Sequence, residues 1–180
     1  MPFLFLLLVS CANETKNSTA TQALYDYDIE ERIISMGIEL KQPTLPKGIK
    51  IEFAVKSGNQ IYLSGNGPRD SKGNRIVGKV GTDLTIEQGY EAARLTAINH
   101  IAILKNELGD LNKVVRIVKV LGMVNAESTF TQQPAVINGY TDLMIEVFGD
   151  RGRHARSAVG MASLPWDMAC EVEAIVEVLD

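Results

Sequence analysis

Residues 151–178, RGRHARSAVGMASLPWDMACEVEAIVEV, constrain the fold more than any other stretch of the chain. They hold a compact, partly apolar run (ARSAVGMA, 155–162), a break at Ser163, Leu164 and Pro165, and then a two-residue alternation over 170–178. Cys170, Val172, Ala174, Val176 and Val178 share one face of that strand, and Glu171, Glu173, Ile175 and Glu177 the other. Such a strand buries one side and holds carboxylates on the opposite one. Arg156, in the preceding strand, is near enough in sequence for the pair to set a guanidinium and a carboxylate across one pocket. The competing reading is a solvated strand face with a surface ion pair of little energetic consequence.

A chain of 180 residues suits one domain with a core large enough to be stable alone or in a small oligomer. Its formal net charge of -4 gives no electrostatic reason to expect nucleic acid as a partner. Cys11 and Cys170 form no disulfide framework and no metal-ligand spacing, so the sequence calls for no metal and no cofactor. Cys170 falls on the apolar face of its strand, where a small buried hydrophobe is expected rather than a nucleophile.

Three segments follow from composition. Residues 1–22 open with MPFLFLLLVSC, apolar but too brief to span a membrane as a helix. The run resembles a secretory signal ending in a lipobox-like LVSC, in which Cys11 becomes the lipidated first residue of the mature protein, and 12–22 reads as a polar tether. That reading places the protein in the periplasm or on a membrane through a lipid anchor. No Lys or Arg precedes the apolar run, so the alternative is a misplaced start on a cytoplasmic chain. Residues 23–45 read as an accessory helix over 25–40, packed on the outside, and a connector rich in proline. The main domain is 46–180.

Within it, 50–55 and 60–64 predict a β-hairpin around Lys56 to Asn59. The glycine-dense loop 65–81 lacks the spacing of a phosphate cradle. A long helix is expected over 85–108, started by Asp83 or Thr85, with Ala92, Leu95, Ile98, Ile101, Ala102 and Leu104 as the stripe facing a sheet. His100 lies within that stripe and reads as structural. A strand over 114–124 and a helix over 134–148, with Pro134 in its first turn, complete the order β-β-α-β-α-β-β. The fold class is α+β, with helices packed on one face of a mixed sheet.

In that order, YLSGNGP (62–68), ING (137–139) and above all ARSAVGMASLP and CEVEAIVEV (155–178) resemble the RidA/YjgF family of enamine/imine deaminases. GKVG, QGYEAARL, VFG and GRHARSAVG mark a branch of it, and the resemblance covers about residues 51–178. It implies a chorismate-mutase-like fold and a homotrimer whose sheets wrap a central barrel, with pockets between neighbouring subunits. It also implies that Arg156 anchors a substrate carboxylate, that Glu171 exchanges protons with an attacking water, and that the backbone N–H near Ala158 helps hold that water. Ser64, Gly65, Asn66 and Asn138 would line the substrate site. The implied activity is hydrolysis of 2-imino or enamine acids to 2-oxo acids and ammonia, without cofactor. The implied partners are a small carboxylate-bearing imine or enamine and further copies of the chain. A non-enzymatic, ligand-binding or chaperone-like trimer is the alternative. The endoribonuclease activity also attached to this family is disfavoured by the acidic balance and by the lack of a histidine pair. Ile51 stands where the best-studied branch has an aromatic residue closing the pocket, and Asn66 where it commonly has Gln, so a wider pocket or a different substrate is expected.

Overall fold

Five strands make one mixed sheet, ordered β1-β2-β5-β3-β4, in a computed structural model described for residues 23–41, 44–45 and 47–179. The strands are β1 (Ala54–Ser57), β2 (Gln60–Asn66), β3 (Val114–Asn125), β4 (Ala155–Met161) and β5 (Cys170–Val178). All neighbouring pairs are antiparallel except β3 and β4, whose parallel pairing needs a crossover. The helix α3 (Gln133–Phe148) supplies it, entered through Pro134 where the missing N–H costs nothing. The β1–β2 hairpin forms within the expected loop of Lys56 to Asn59 but turns on Gly58 and Asn59 alone, β1 running on to Ser57, with Gly58 in the left-handed region at φ 59°.

Alternation on β5 is borne out. Cys170, Val172, Ala174, Val176 and Val178 are buried, while Glu171, Glu173, Ile175 and Glu177 stand on the other, helix-free side. The long helix α2 (Ile86–Leu108) and α3 cover the buried side. Thr85 caps α2: its hydroxyl accepts from the Gln88 N–H while the Gln88 side chain accepts from the Thr85 N–H. The buried stripe of α2 is turned from the expected one. Ala93, Thr96, Ala97 and His100 are buried, whereas Leu95 and Ile98 are only partly covered. The reason is α3, which approaches so closely that a Cβ on Gly139 would collide with the Tyr90 carbonyl, so α2 must bury small residues toward its neighbour as well as toward the sheet.

The first helix, α1, spans Ile29–Ser35 rather than 25–40. Asp28 ends the preceding chain by accepting from the N–H groups of Glu30 and Glu31, both at 2.9 Å. Tyr25 and Tyr27, outside the helix, use their hydroxyls on the carbonyls of Val114 (2.6 Å) and Val147 (3.1 Å). Ile29 and Ile33 sit in the same buried cluster as the sheet and α2, so this segment is part of the core and not an outer cover.

Candidate functional site

Arg156 lies on the edge strand β4 in register with Val120, a fully buried residue facing the helices. Its Nη1 donates to Asn138 Oδ1 at 3.0 Å and to Thr141 Oγ1 at 2.9 Å. Asn138 and Thr141 are three residues apart on α3 and so share one helix face. Behind them stands His154. Its Nδ1 is 2.7 Å from the Gly152 carbonyl, which can only accept, so the proton is on Nδ1 and Nε2 accepts from the Thr141 hydroxyl at 3.2 Å. Burial, with the Arg156 charge adding to it, holds His154 below its ordinary pKa and keeps the ring neutral. The run Arg156–Thr141–His154–Gly152 thereby fixes one nitrogen of the guanidinium and leaves Nε and Nη2 for a ligand.

Glu171 is on β5 opposite Met123 of β3, between Cys170 and Val172, which are fully buried. It therefore points to the helix-free side. Arg156 points to the helix side, and β3 runs between β4 and β5. Two strand spacings, about 10 Å, and the thickness of the sheet separate the two residues. The expectation of one pocket built by consecutive strands is thus corrected: the strands are joined by a turn in sequence, but β3 inserts between them.

The Glu171 carboxyl rests on Gly65 of β2, where any Cβ would collide with Oε1. Burial first, and the neighbouring Glu173 charge second, raise its pKa above the usual carboxylate range. Gly65 and Asn66 also line a cavity of about 310 Å³ between the hairpin, the loop after β2 and the turn before β5; Ile51 and Phe53 form part of its wall. Ser64 is otherwise engaged. Its hydroxyl donates to the Glu52 carbonyl at 2.7 Å and its own carbonyl accepts from His100 Nε2 at 3.3 Å. Ala158 is in register with Gly122 and two residues from Arg156 on the same side of β4.

His100 is wholly buried between Ser64 and the Tyr140 hydroxyl, 2.9 Å away, and burial pushes its pKa down to about 4. It is a neutral brace between α2, α3 and β2. Cys170 is fully buried beside Thr96 Oγ1 at 3.6 Å, and burial pushes its thiol up to about 12, which removes the thiolate a nucleophile needs. Cys11 lies outside the described residues. Among the described residues no group of three or more His, Cys, Asp or Glu side chains is arranged to hold a metal, and no helix is long and apolar enough to cross a membrane.

Thr141 and His154 were not singled out from sequence. Thr141 follows the ING motif by one further residue after Tyr140, and its i+3 spacing from Asn138 was the available signal; His154 precedes the strand and gives none.

Residues 30–178 match the family described as "YjgF/chorismate mutase-like, putative endoribonuclease". A curated relative, Protein TCP17 of Trypanosoma cruzi, is 41% identical over 143 residues, covering 79% of this chain and 89% of that protein. The crystal structure of Atu1372 from Agrobacterium tumefaciens, a protein of unknown function, is 41% identical with a TM-score of 0.74, covering 84% of this chain and 94% of the other. A Shewanella oneidensis protein carrying the same endoribonuclease description is 31% identical with a TM-score of 0.80, over 84% of this chain and all of the other. The chain belongs to the YjgF/RidA family, and its mixed sheet flanked by helices is the α+β fold of that family.

Proposed function

We propose that the protein binds a small metabolite through its carboxylate and, as a trimer, hydrolyses 2-imino acids to 2-oxo acids and ammonia. The observation that carries the reading is Arg156, a guanidinium clamped through one nitrogen by Asn138 and Thr141 and left with a bidentate edge for a planar carboxylate. Glu171 supplies the proton chemistry. Burial, with the Glu173 charge adding to it, raises the Glu171 pKa, so the carboxyl takes a proton from water more readily than an exposed one and can return it. Water adds to the C=N carbon while passing a proton to the Glu171 carboxylate. That proton goes on to the nitrogen to complete the carbinolamine, and the hydroxyl then passes its own proton through Glu171 to the nitrogen as the C–N bond breaks, leaving the carbonyl and releasing ammonia. One water is consumed and one ammonia released.

Because Arg156 and Glu171 face opposite sides of the sheet, the proposed site takes one from each of two neighbouring copies. The same separation favours, as a second reading, binding without turnover, since a single chain presents the anchor without the acid. The test is ammonia release, and loss of semicarbazide-trapped imine, with imino acids generated in situ. Rates above buffer that disappear in Arg156→Ala and Glu171→Gln support hydrolysis. Rates equal to buffer, with carboxylate binding retained by the wild type, leave only the binding reading.

A further inference from the structure

The substrate pocket walled by Ile51, Gly65 and Asn66 carries more positive charge than an imino acid with one carboxylate calls for. Arg69 and Arg75 face each other across a short antiparallel bridge in the loop after β2, and both line the pocket. The one acid in its lining, Asp70, is engaged in its own turn. It accepts from the N–H groups of Lys72 and Asn74, both at 2.8 Å, and from Asn74 Nδ2 at 3.0 Å. Among the described residues neither arginine has a carboxylate within ion-pair distance. Burial, and then the Arg75 charge, hold the Arg69 pKa below its ordinary value, as expected for two cations brought together without a counter-charge.

Arg75 Nε is buried with no hydrogen-bond partner, the one such side-chain atom among the described residues. A buried donor left unpaired is costly, and native structures keep one where something else satisfies it. Trp166 lies over the same guanidinium, 4.6 Å from ring centroid to Cζ, which fixes the plane of the fork and leaves its N–H edge for an acceptor. Trp166 and Asp167 both have positive φ, 54° and 56°, a conformation that non-glycine residues adopt at a cost and that concentrates at functional sites. Trp166 is nonetheless 53% exposed, so the strain presents the ring to the guanidinium instead of burying it. Gly65 touches both the Glu171 carboxyl and this pocket, so the two arginines share a wall with the proposed proton-transfer group.

We infer that Arg69 and Arg75 are specificity-determining residues of this pocket and select 2-imino acids that carry a second carboxylate on the side chain, of the length of 2-iminoglutarate. The inference rests on the function proposed above, in which Arg156 of a neighbouring copy holds the first carboxylate and Glu171 serves the reacting carbon. A substrate placed that way directs its side chain at the two guanidiniums, which meet a planar carboxylate with matching donors. An apolar side chain in the same place leaves both cations and the Arg75 Nε donor without a partner. Unpaired polar groups in a site reject the wrong ligand more strongly than a missing methylene does.

The test compares 2-iminoglutarate with 2-iminohexanoate, both generated in situ and followed by semicarbazide trapping against the rate in buffer. For the wild type, kcat/KM should be about tenfold or more higher for the dicarboxylic imine. Arg69→Gln removes one charge, and Arg75→Lys keeps the charge but removes the fork and Nε. In each, the ratio of the two kcat/KM values should fall about tenfold. A wild-type ratio near one overturns the inference, and so does a ratio unchanged in either variant that folds. Calorimetry with the products, 2-oxoglutarate and 2-oxohexanoate, makes the same comparison without turnover. If neither imine is hydrolysed above buffer, the proposed reaction fails, and a calorimetric preference for 2-oxoglutarate that is lost in Arg69→Gln still supports the selection. Equal binding of the two oxo acids, or binding of neither, overturns it.

Discussion

Arg156 and Glu171 lie on opposite faces of one sheet with β3 between their strands. A reaction centre that uses both must therefore borrow one of them from a neighbouring copy, and this gives a test no single-chain site could pass. Arg156→Ala and Glu171→Gln chains should each be inactive alone. Mixed in equal amounts and allowed to reassort as trimers, they should recover about a quarter of the wild-type rate, the chance that a site draws its intact arginine and intact glutamate from different chains. Ammonia release measures the recovery and light scattering the trimer. No recovery in reassorted trimers, or a monomer at micromolar concentration, removes the shared site.

The Thr141 hydroxyl accepts from Arg156 Nη1 at 2.9 Å and donates to His154 Nε2 at 3.2 Å. Thr141→Val keeps the shape, removes one of the two acceptors of Arg156 Nη1 and takes away the hydroxyl that donates to His154 Nε2. Losing one such bond costs about 1–2 kcal/mol, so KM should rise roughly tenfold with kcat changed much less. Arg156→Ala should cost about 2–5 kcal/mol in kcat/KM, because a buried charge on the substrate then loses its fork. Steady-state kinetics on the two variants separate orientation from anchoring, and equal losses in kcat for both would contradict the division.

Glu171 makes stability depend on pH in a defined direction. Its folded pKa lies above the unfolded one, because burial and the Glu173 charge penalise the ionised form. The stability tied to its protonated form is complete below the ordinary glutamate pKa and is lost as pH rises through the raised folded value. Glu171→Gln, which cannot ionise, should therefore melt higher than wild type at neutral pH and match it at about pH 3. Thermal melts across that range check it. A variant that is less stable at neutral pH would mean the carboxylate is compensated by a cation.

Cys11 lies outside the described residues, and its proposed lipidation rests on LVSC alone. Metabolic labelling with palmitate should mark the wild-type chain and not Cys11→Ala. An unlabelled chain in the cytosolic fraction would favour the cytoplasmic alternative.

The order of strands and helices was legible because period-two and helical patterns survive in β5, α2 and α3, where one side of each element is buried. What a single sequence withholds is lateral order. Nothing in residues 151–178 says that β3, thirty residues earlier in the chain, inserts between two strands joined by one turn. The α2 stripe was misplaced for a similar reason, since the close approach of α3 at Gly139 makes small residues core residues. Asn138 was readable from its motif. His154 was not, because its role comes from a contact between the segment before β4 and Thr141 on α3 and carries no periodicity.

Gly65 seats the Glu171 carboxyl. Its φ is not in the left-handed region, so alanine is conformationally acceptable there, and what a Cβ would meet is the far end of the Glu171 side chain. A carboxylate on a flexible stem can swing aside, so Gly65→Ala should cost no more than about 1 kcal/mol of stability, measured by denaturant unfolding. Displacing the carboxyl by about 1 Å or more from its seat should nevertheless lower kcat on the order of 10²-fold, as misplaced catalytic groups do. A Gly65→Ala protein that unfolds would show that the glycine serves the backbone; one that turns over imines at the wild-type rate would show that Glu171 has no need of the place it occupies.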